Sequence, residues 1–429
     1  MAKIVFIGAG SIIFAKNLIG DCLCTPALGE FEYALLDIDK EKLRLAEKII
    51  QHLNNNINAG RACIKAYDDQ RLALRGADFV IGAIQVGGYA AVKKDFEIPQ
   101  KYGLKQTYAD TLGMGGIFRG LRTIPVMLDI ARDMEDMCPA AWLLNYVNPM
   151  AIVTGAILKA TGIKTVGLCH SVQVCARDLL KAVDLPFDNV EYLIAGINHQ
   201  AWLLNISRQG VDQYPEIKRR ILEGGGDPAD KVRYAIMKHF GYYVTESSQH
   251  SAEYMPYFLK AKYPSLEADL GINTQMHREW GDSQERYWAD AKKMLTQNEK
   301  ITHGRTEEYA SYIMEALLTG SVYKFGGNVL NHDLIDNLPA ACCVEVPCLV
   351  DANGLRPSPV GMLPTQLAAL NRSNVNVQEL VIEAALEKRL DAVYHAAMLD
   401  PHTAAELSLD DISQMCGEML LANKRWLHA

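Results

Sequence analysis

No stretch of this chain reaches the roughly eighteen consecutive apolar residues that a membrane span requires, so no transmembrane anchor is expected. The opening residues, Met-Ala-Lys-Ile-Val-Phe-Ile, lack the apolar core of a signal peptide and run straight into a strand. Positive charge is in deficit: 43 Lys and Arg against 51 Asp and Glu leave a net charge of −8. Binding a nucleic-acid backbone needs clustered cations, and the densest basic run, Lys218-Arg219-Arg220, reads as a solvated helix face. Neither nucleic acid nor membrane is expected as a partner. The ten cysteines form no ladder of fixed spacings; they read as reduced thiols of a cytoplasmic protein, mostly small buried hydrophobes. Internal repeats and low-complexity linkers are also missing.

What the chain does have is length for a large core, 429 residues of which 49% are apolar. Its first part alternates strands and helices. Lys3–Gly8, Glu32–Asp37, Ala77–Ile84, Ala141–Asn145 and Lys164–Leu168 read as strands, with helices at Phe14–Leu28, Lys40–Asn54 and Gly120–Met137. This rhythm predicts an α/β fold with a Rossmann-like, doubly wound parallel sheet over residues 1–190. Residues 191–429 read as an α+β domain for substrate, metal and oligomerisation, packed on the first. There Glu191–Asn205 is extended and broken at Gly196. Helices follow at Pro215–Leu222, Asp230–Phe240, Ser283–Gln297 and Glu307–Leu318. Thr319–Val329 is turn-like, Cys342–Asp351 a strand, and Val375–Met398 and Ser408–Asn423 are helical.

The turn Gly8-Ala-Gly10-Ser11 stands where a dinucleotide fold wants glycines, after a strand and before a helix whose N-terminus attracts phosphate. The third glycine of the fingerprint is replaced by Ile13. Asp37, ending the second strand, is placed to accept from ribose hydroxyls and favours NAD over its phosphorylated form. A nucleotide-free α/β turn is the alternative. Cys169 ends a strand, where ligands gather in open sheets, and His199 follows Asn198 in a glycine-led turn. A thiolate and an imidazole suit a borderline divalent metal and leave positions open for catalysis. Taken as two residues alone, a buried thiol and a hydrogen-bonded histidine is the plainer reading. Asn148 is placed to hold a sugar hydroxyl or to cap the helix after Pro149. Asp110 lies in a loop with Gly113, Gly115 and Gly116 that is able to close over a ligand. Glu246-Ser-Ser-Gln249-His250-Ser251-Ala-Glu253-Tyr254 gathers proton-transfer candidates, or is a plain surface loop.

Together, Phe-Ile-Gly-Ala-Gly-Ser, Asn-Tyr-Val-Asn-Pro-Met, Gly-Leu-Cys-His-Ser-Val, Ala-Gly-Ile-Asn-His, Tyr-Val-Thr-Glu-Ser-Ser and Leu-Asp-Pro-His-Thr resemble glycoside hydrolase family 4 over nearly the whole chain. These are NAD- and manganese-dependent enzymes outside two-carboxylate hydrolysis, and the likeness is greatest to the α-galactosidase (melibiase) branch. The resemblance implies a fold like that of lactate and malate dehydrogenases and a homodimer or homotetramer. It implies NAD at Gly8, Gly10, Ser11 and Asp37, and manganese(II) on Cys169 and His199. Asn148, Asp110 and Gln249 are implied as substrate-binding. Phosphosugar branches place an arginine where this chain has Gln249, which cannot clamp a phosphate bidentately, so an unphosphorylated hexoside is expected. The implied route takes hydride from sugar C3, removes the C2 proton, expels the aglycone, adds water and returns the hydride. His170 is the implied acid; Glu246 is the first choice for the base and Tyr254 the second. Gln200 replaces a methionine of melibiases. The alternatives are an α-glucosidase, an α-galacturonidase or glucuronidase of the same family, a malate- or lactate-type dehydrogenase, and a nucleotide-sensing binding protein.

Overall fold

The computed structural model describes residues 2–296 and 301–427. Its centre is a run of parallel strands, β1 (Lys3–Ile7), β2 (Glu32–Leu36), β3 (Cys63–Tyr67), β4 (Phe79–Gly82), β5 (Trp142–Asn145) and β6 (Lys164–Gly167). They lie in the order β3-β2-β1-β4-β5-β6, the arrangement of dinucleotide-binding sheets. Successive side chains enter opposite layers. Val5, Ile7, Val80 and Leu143 join one apolar cluster, and Ile4, Phe6, Phe79, Ile81 and Leu144 the other. A strand buried on both faces needs no polar alternation, which is why these segments read as unbroken apolar runs.

The sheet does not stop at β6. The later strands are β7 (Val190–Ile197), β8 (Gln200–Arg208), β9 (Val211–Asp212), β10 (Tyr243–Val244), β11 (Tyr323–Leu330), β12 (Cys343–Asp351) and β13 (Gly354–Pro357). The order continues β6-β11-β12-β7-β8-β10, all antiparallel. Two narrow joints tie it together, Asn328 opposite Gly167 and Glu345 opposite Gly196. The first joint sets Asn328 beside the end of β6, and Glu345, opposite Asn328 on β12, stands one strand further out.

Several local expectations change. The first helix spans Ile12–Leu23, and a separate 3₁₀ turn holds Pro26–Leu28, because Pro26 has no N–H to continue the α-helix. Thr319–Val329 is not a turn throughout: Gly320 (φ 76°) ends the preceding helix, and β11 starts at Tyr323. Gly326 sits inside that strand because a Cβ there would meet Val172 Cγ1 at 2.6 Å. The segment 375–398 divides into Thr365–Glu387 and Leu390–Leu399, parted by left-handed Lys388 (φ 55°). The strand is not broken at Gly196, which lies inside β7; the turn expected at Asn198-His199 joins β7 to β8, with His199 at φ 62°. Gly113, Gly115 and Gly116 are not a mobile loop but the first turn of the helix Gly113–Met137. A Cβ on Gly115 would meet Ala109 at 2.5 Å, so the glycines let this helix press on the loop before it. The helix expected over Ser283–Gln297 falls within Met276–Thr296, Gln297 lying outside the described residues. Among the described residues no helix is long and apolar enough to cross a membrane.

Candidate functional site

At the carboxyl end of β1 the chain turns through Gly8 (φ 96°), where a side chain would run into the Ala83 backbone. Gly10 is needed for a different reason: a Cβ there would lie 2.5 Å from Asp37 Oδ2. The Gly10 N–H donates to Asp37 Oδ2 at 2.6 Å, and the Asp39 N–H donates to Asp37 Oδ1 at 2.9 Å. The carboxylate thereby ties the second strand's end to the glycine turn. Ser11 caps the following helix without a side-chain bond, leaving its hydroxyl free. A cavity of about 220 Å³ opens beside it, lined by Ser11, Ile13, Phe14 and Asn17 with Tyr287 and Trp288. Ile13, which stands in place of the third glycine, is 39% exposed on this cavity, so its side chain does not obstruct the turn. A cradle that a Cβ would fill, a helix N-terminus and an acid at the end of β2 fit a dinucleotide.

A second cluster forms at the carboxyl end of β6. Cys169, His199 and Glu246 place one ligand atom each within 4.8 Å of one another. Glu246 Oε2 lies 3.5 Å from His199 Nε2 and 3.9 Å from Cys169 Sγ. Cys169 comes from the loop after β6, His199 from the β7–β8 turn, and Glu246 from just beyond β10. Burial, then the negative charges of Glu246 and Glu345, push the Cys169 thiol well above its ordinary range. Burial and the neighbouring His250 bring His199 down to about 4. Burial alone would raise Glu246, but His199 and His250 overcome it and hold the carboxyl at about 2. A soft sulfur, a neutral imidazole and a carboxylate, crowded together with another acid behind them, are a donor set that fits a divalent cation.

Around this cluster runs a polar network centred on Asp110. Asp110 Oδ1 accepts from Thr111 Oγ1 at 2.6 Å and lies 3.4 Å from His250 Nε2. Asp110 Oδ2 accepts from Asn148 Nδ2 at 3.1 Å, with Arg119 3.8 Å away. Thr111 Oγ1 also reaches His199 Nδ1 at 3.3 Å, fixing the ring face turned away from Glu246. His250 stacks on Tyr108 at 3.9 Å and meets His199 edge-on at 4.5 Å. Burial opposes its protonation, but Asp110 and Glu246 prevail and raise its pKa.

The remaining sequence-derived residues divide. Tyr254 is buried 6.1 Å from the His199 ring with its hydroxyl unpartnered. His170 is exposed at the head of the helix Ser171–Ala182, close enough for its charge to act on Glu246 and His199. Gln249 faces elsewhere: its amide donates to Gly271 O and accepts from Asn273 N, both at 2.8 Å. Gln200 likewise turns from the cluster, its Oε1 accepting from Asn371 and Asn374 at 3.0 and 2.9 Å. Sequence reasoning assigned no role to Thr111, Arg119 or Glu345, and included His250 and Glu253 only within the 246–254 run of proton-transfer candidates. Three apart in the helix Ser248–Glu253, these two are near neighbours on its surface.

Residues 3–185 match the family described as family 4 glycosyl hydrolase, and residues 194–403 match that family's C-terminal domain. An alpha-galactosidase of Bacillus subtilis is 54% identical over 429 residues, covering 100% of this chain and 99% of its own. A 6-phospho-alpha-glucosidase from gut microorganisms, solved in complex with NAD and Mn2+, shares the fold at a TM-score of 0.84 and 20% identity, with 99% of each chain covered. Malate dehydrogenase from Plasmodium falciparum also shares it, at a TM-score of 0.52 and 14% identity, over 92% of this chain and 100% of that one. The glycine cradle and the three-donor cluster thus lie in a chain matched along both halves, and the protein belongs to family 4 of the glycosyl hydrolases.

Proposed function

We propose that this protein hydrolyses unphosphorylated α-galactosides with NAD and manganese(II), breaking the glycosidic bond by elimination rather than by carboxylate displacement. The observation that carries the reading is the convergence of Cys169, His199 and Glu246 at the carboxyl end of the parallel strands, the end that also holds the Gly8–Gly10 cradle. Full-length likeness to an alpha-galactosidase supports the substrate class. Gly8, Gly10, Ser11 and Asp37 would hold the dinucleotide; Cys169, His199 and Glu246 would hold the ion. When bound, these groups supply a reversible hydride acceptor for a sugar carbon and Lewis-acid polarisation of its oxygens.

The protein's own residues do the rest. Asn148 and Asp110, already paired with each other, present an amide and a carboxylate to sugar hydroxyls. His170, exposed beside the cluster, protonates the departing glycosidic oxygen. Glu246 changes role in this reading. Its Oε2 faces both other donors and its Oε1 accepts from the Ser247 N–H at 2.8 Å, so it serves as a ligand. Tyr254, whose hydroxyl has no partner, would take the C2 proton as its phenolate; burial and the charge of Asp110 raise its pKa, so it must first give up its own proton. Gln249, held against residues 271–273, leaves the sugar pocket. Residues 1–190 carry the dinucleotide and residues 191–429 supply His199 and Glu246. All ten cysteines are free, which supports a reducing, cytoplasmic setting; a homodimer or homotetramer is part of the same reading.

The test is cleavage of nitrophenyl α-galactoside deuterated at C2, with NAD⁺, manganese and a thiol reductant. Release of nitrophenol with loss of the label to solvent is expected, with no build-up of NADH. Cleavage with the label wholly retained would overturn the elimination route, and no cleavage of α-galactosides would overturn the substrate class. Under the same conditions Tyr254→Phe should lose turnover while keeping manganese affinity, and Glu246→Gln should lose that affinity.

A further inference from the structure

One buried acid has no part in the chemistry just described. Glu253 ends the short helix Ser248–Glu253, 3% exposed, and makes no ion pair among the described residues. Its partners are backbone. Glu253 Oε1 accepts from the N–H groups of Thr107, Tyr108 (3.0 Å) and Ala109 (3.1 Å), and Oε2 accepts from Ala109 at 3.3 Å. Three successive N–H groups converging on one point form the kind of concavity that binds anions; here the protein fills it from another segment. Thr107 Oγ1 adds a bond to the Gln249 carbonyl at 2.8 Å, so loop and helix are fastened twice.

The loop needs fastening. Ala109 is held at φ 52°, a left-handed conformation that a residue with a Cβ adopts only under constraint. Its next two residues carry the polar network: Asp110 reaches His250 and Asn148, and Thr111 reaches His199 Nδ1. The residue before it, Tyr108, forms the face on which His250 stacks. These contacts therefore leave a stretch of backbone that Glu253 holds.

We propose that Glu253 is a positioning residue: through the 107–109 backbone it sets Thr111 against His199 and thereby tunes the affinity of the Cys169–His199–Glu246 cluster for a divalent cation. The inference rests on the metal reading above. Partners that orient metal-bound histidines change metal affinity by about 10- to 100-fold when removed. A residue that merely stabilised the fold would alter stability without this selective effect.

The experiment is a double-mutant cycle on the full chain. Parent, Glu253→Gln, Thr111→Val and the double variant are titrated calorimetrically with manganese alone, and separately with NAD⁺. We expect each single variant to raise the manganese Kd about tenfold or more, with NAD⁺ affinity within about twofold of the parent. Because both changes interrupt one chain of contacts, the double variant should bind manganese about as weakly as the worse single variant. Additive losses would overturn the proposal. So would a Glu253→Gln Kd for manganese within twofold of the parent, or parallel loss of manganese and NAD⁺ affinity. If neither Glu253→Gln nor Glu253→Asp folds, the residue belongs to the core alone and the proposal falls as well. No substrate enters the titration, so failure of the α-galactoside reading would not be confused with failure of this one.

Discussion

Manganese binding to this protein should release one proton, and that proton should come from Cys169. Burial and the charge of Glu246 keep the metal-free thiol protonated at neutral pH, whereas His199 near 4 and Glu246 near 2 have already lost their protons there. A metal that needs the thiolate must compete with a single proton. Affinity therefore tightens as pH rises, by about tenfold per unit, or roughly 1.4 kcal/mol. Between pH 6 and 8 the Kd should fall about a hundredfold. Approaching pH 4 the slope should steepen, because His199 then also has to shed a proton. Calorimetric titration in two buffers with different ionisation heats counts the protons directly. Cys169→Ser provides the control, since a hydroxyl stays protonated: binding should weaken and proton release at pH 7 should vanish. Parent protein that releases less than half a proton, or a serine variant that keeps the pH slope, would refute the reasoning.

Other consequences are as direct. Gly10→Ala puts a methyl group 2.5 Å from Asp37 Oδ2; NAD⁺ affinity should fall by about tenfold or more by calorimetry, while manganese affinity stays within about twofold. Asp95 and Arg122 form an ion pair with side chains 1% and 0% exposed. Arg122→Met should lower unfolding stability by about 3–5 kcal/mol in urea titration by stranding the Asp95 charge, and adding Asp95→Leu should restore part of the loss. Gln249→Arg should fail to create activity on 6-phosphogalactosides, because residue 249 faces Gly271 and Asn273. Cleavage of nitrophenyl 6-phospho-α-galactoside by that variant would show that position 249 does face the sugar.

Much of this architecture was readable before any coordinates, but unevenly. Gly8, Gly10 and Asp37 were legible because their roles depend on local backbone: a strand end, a turn that excludes Cβ, and an acid where the next strand stops. Cys169 and His199 could be picked by residue type and by the motifs around them, though their approach could not be measured. Glu246 was read as a base, whereas the structure sets its carboxylate against both donors. Gln249 is expected at the sugar from its place in the motif, but its side chain bonds to Gly271 and Asn273, since a position along the chain carries no information on rotamers. The glycines of β11 were read as a turn because a glycine that relieves contact with Val172 looks the same as one that bends the chain.

The sequence by itself determined the doubly wound sheet and the cradle at its first turn, and it singled out Cys169 and His199 but not Glu246 as donors. Each follows from short-range periodicity or from a residue type with few substitutes. Only tertiary structure decided which side chains meet. Cys169 and Glu246 stand 77 positions apart, and they converge because β11 and β12 join β6 to the β7–β8 hairpin through single ladder positions at Gly167 and Gly196. Such contacts are set by packing between distant strands, which leaves no periodic trace in the chain.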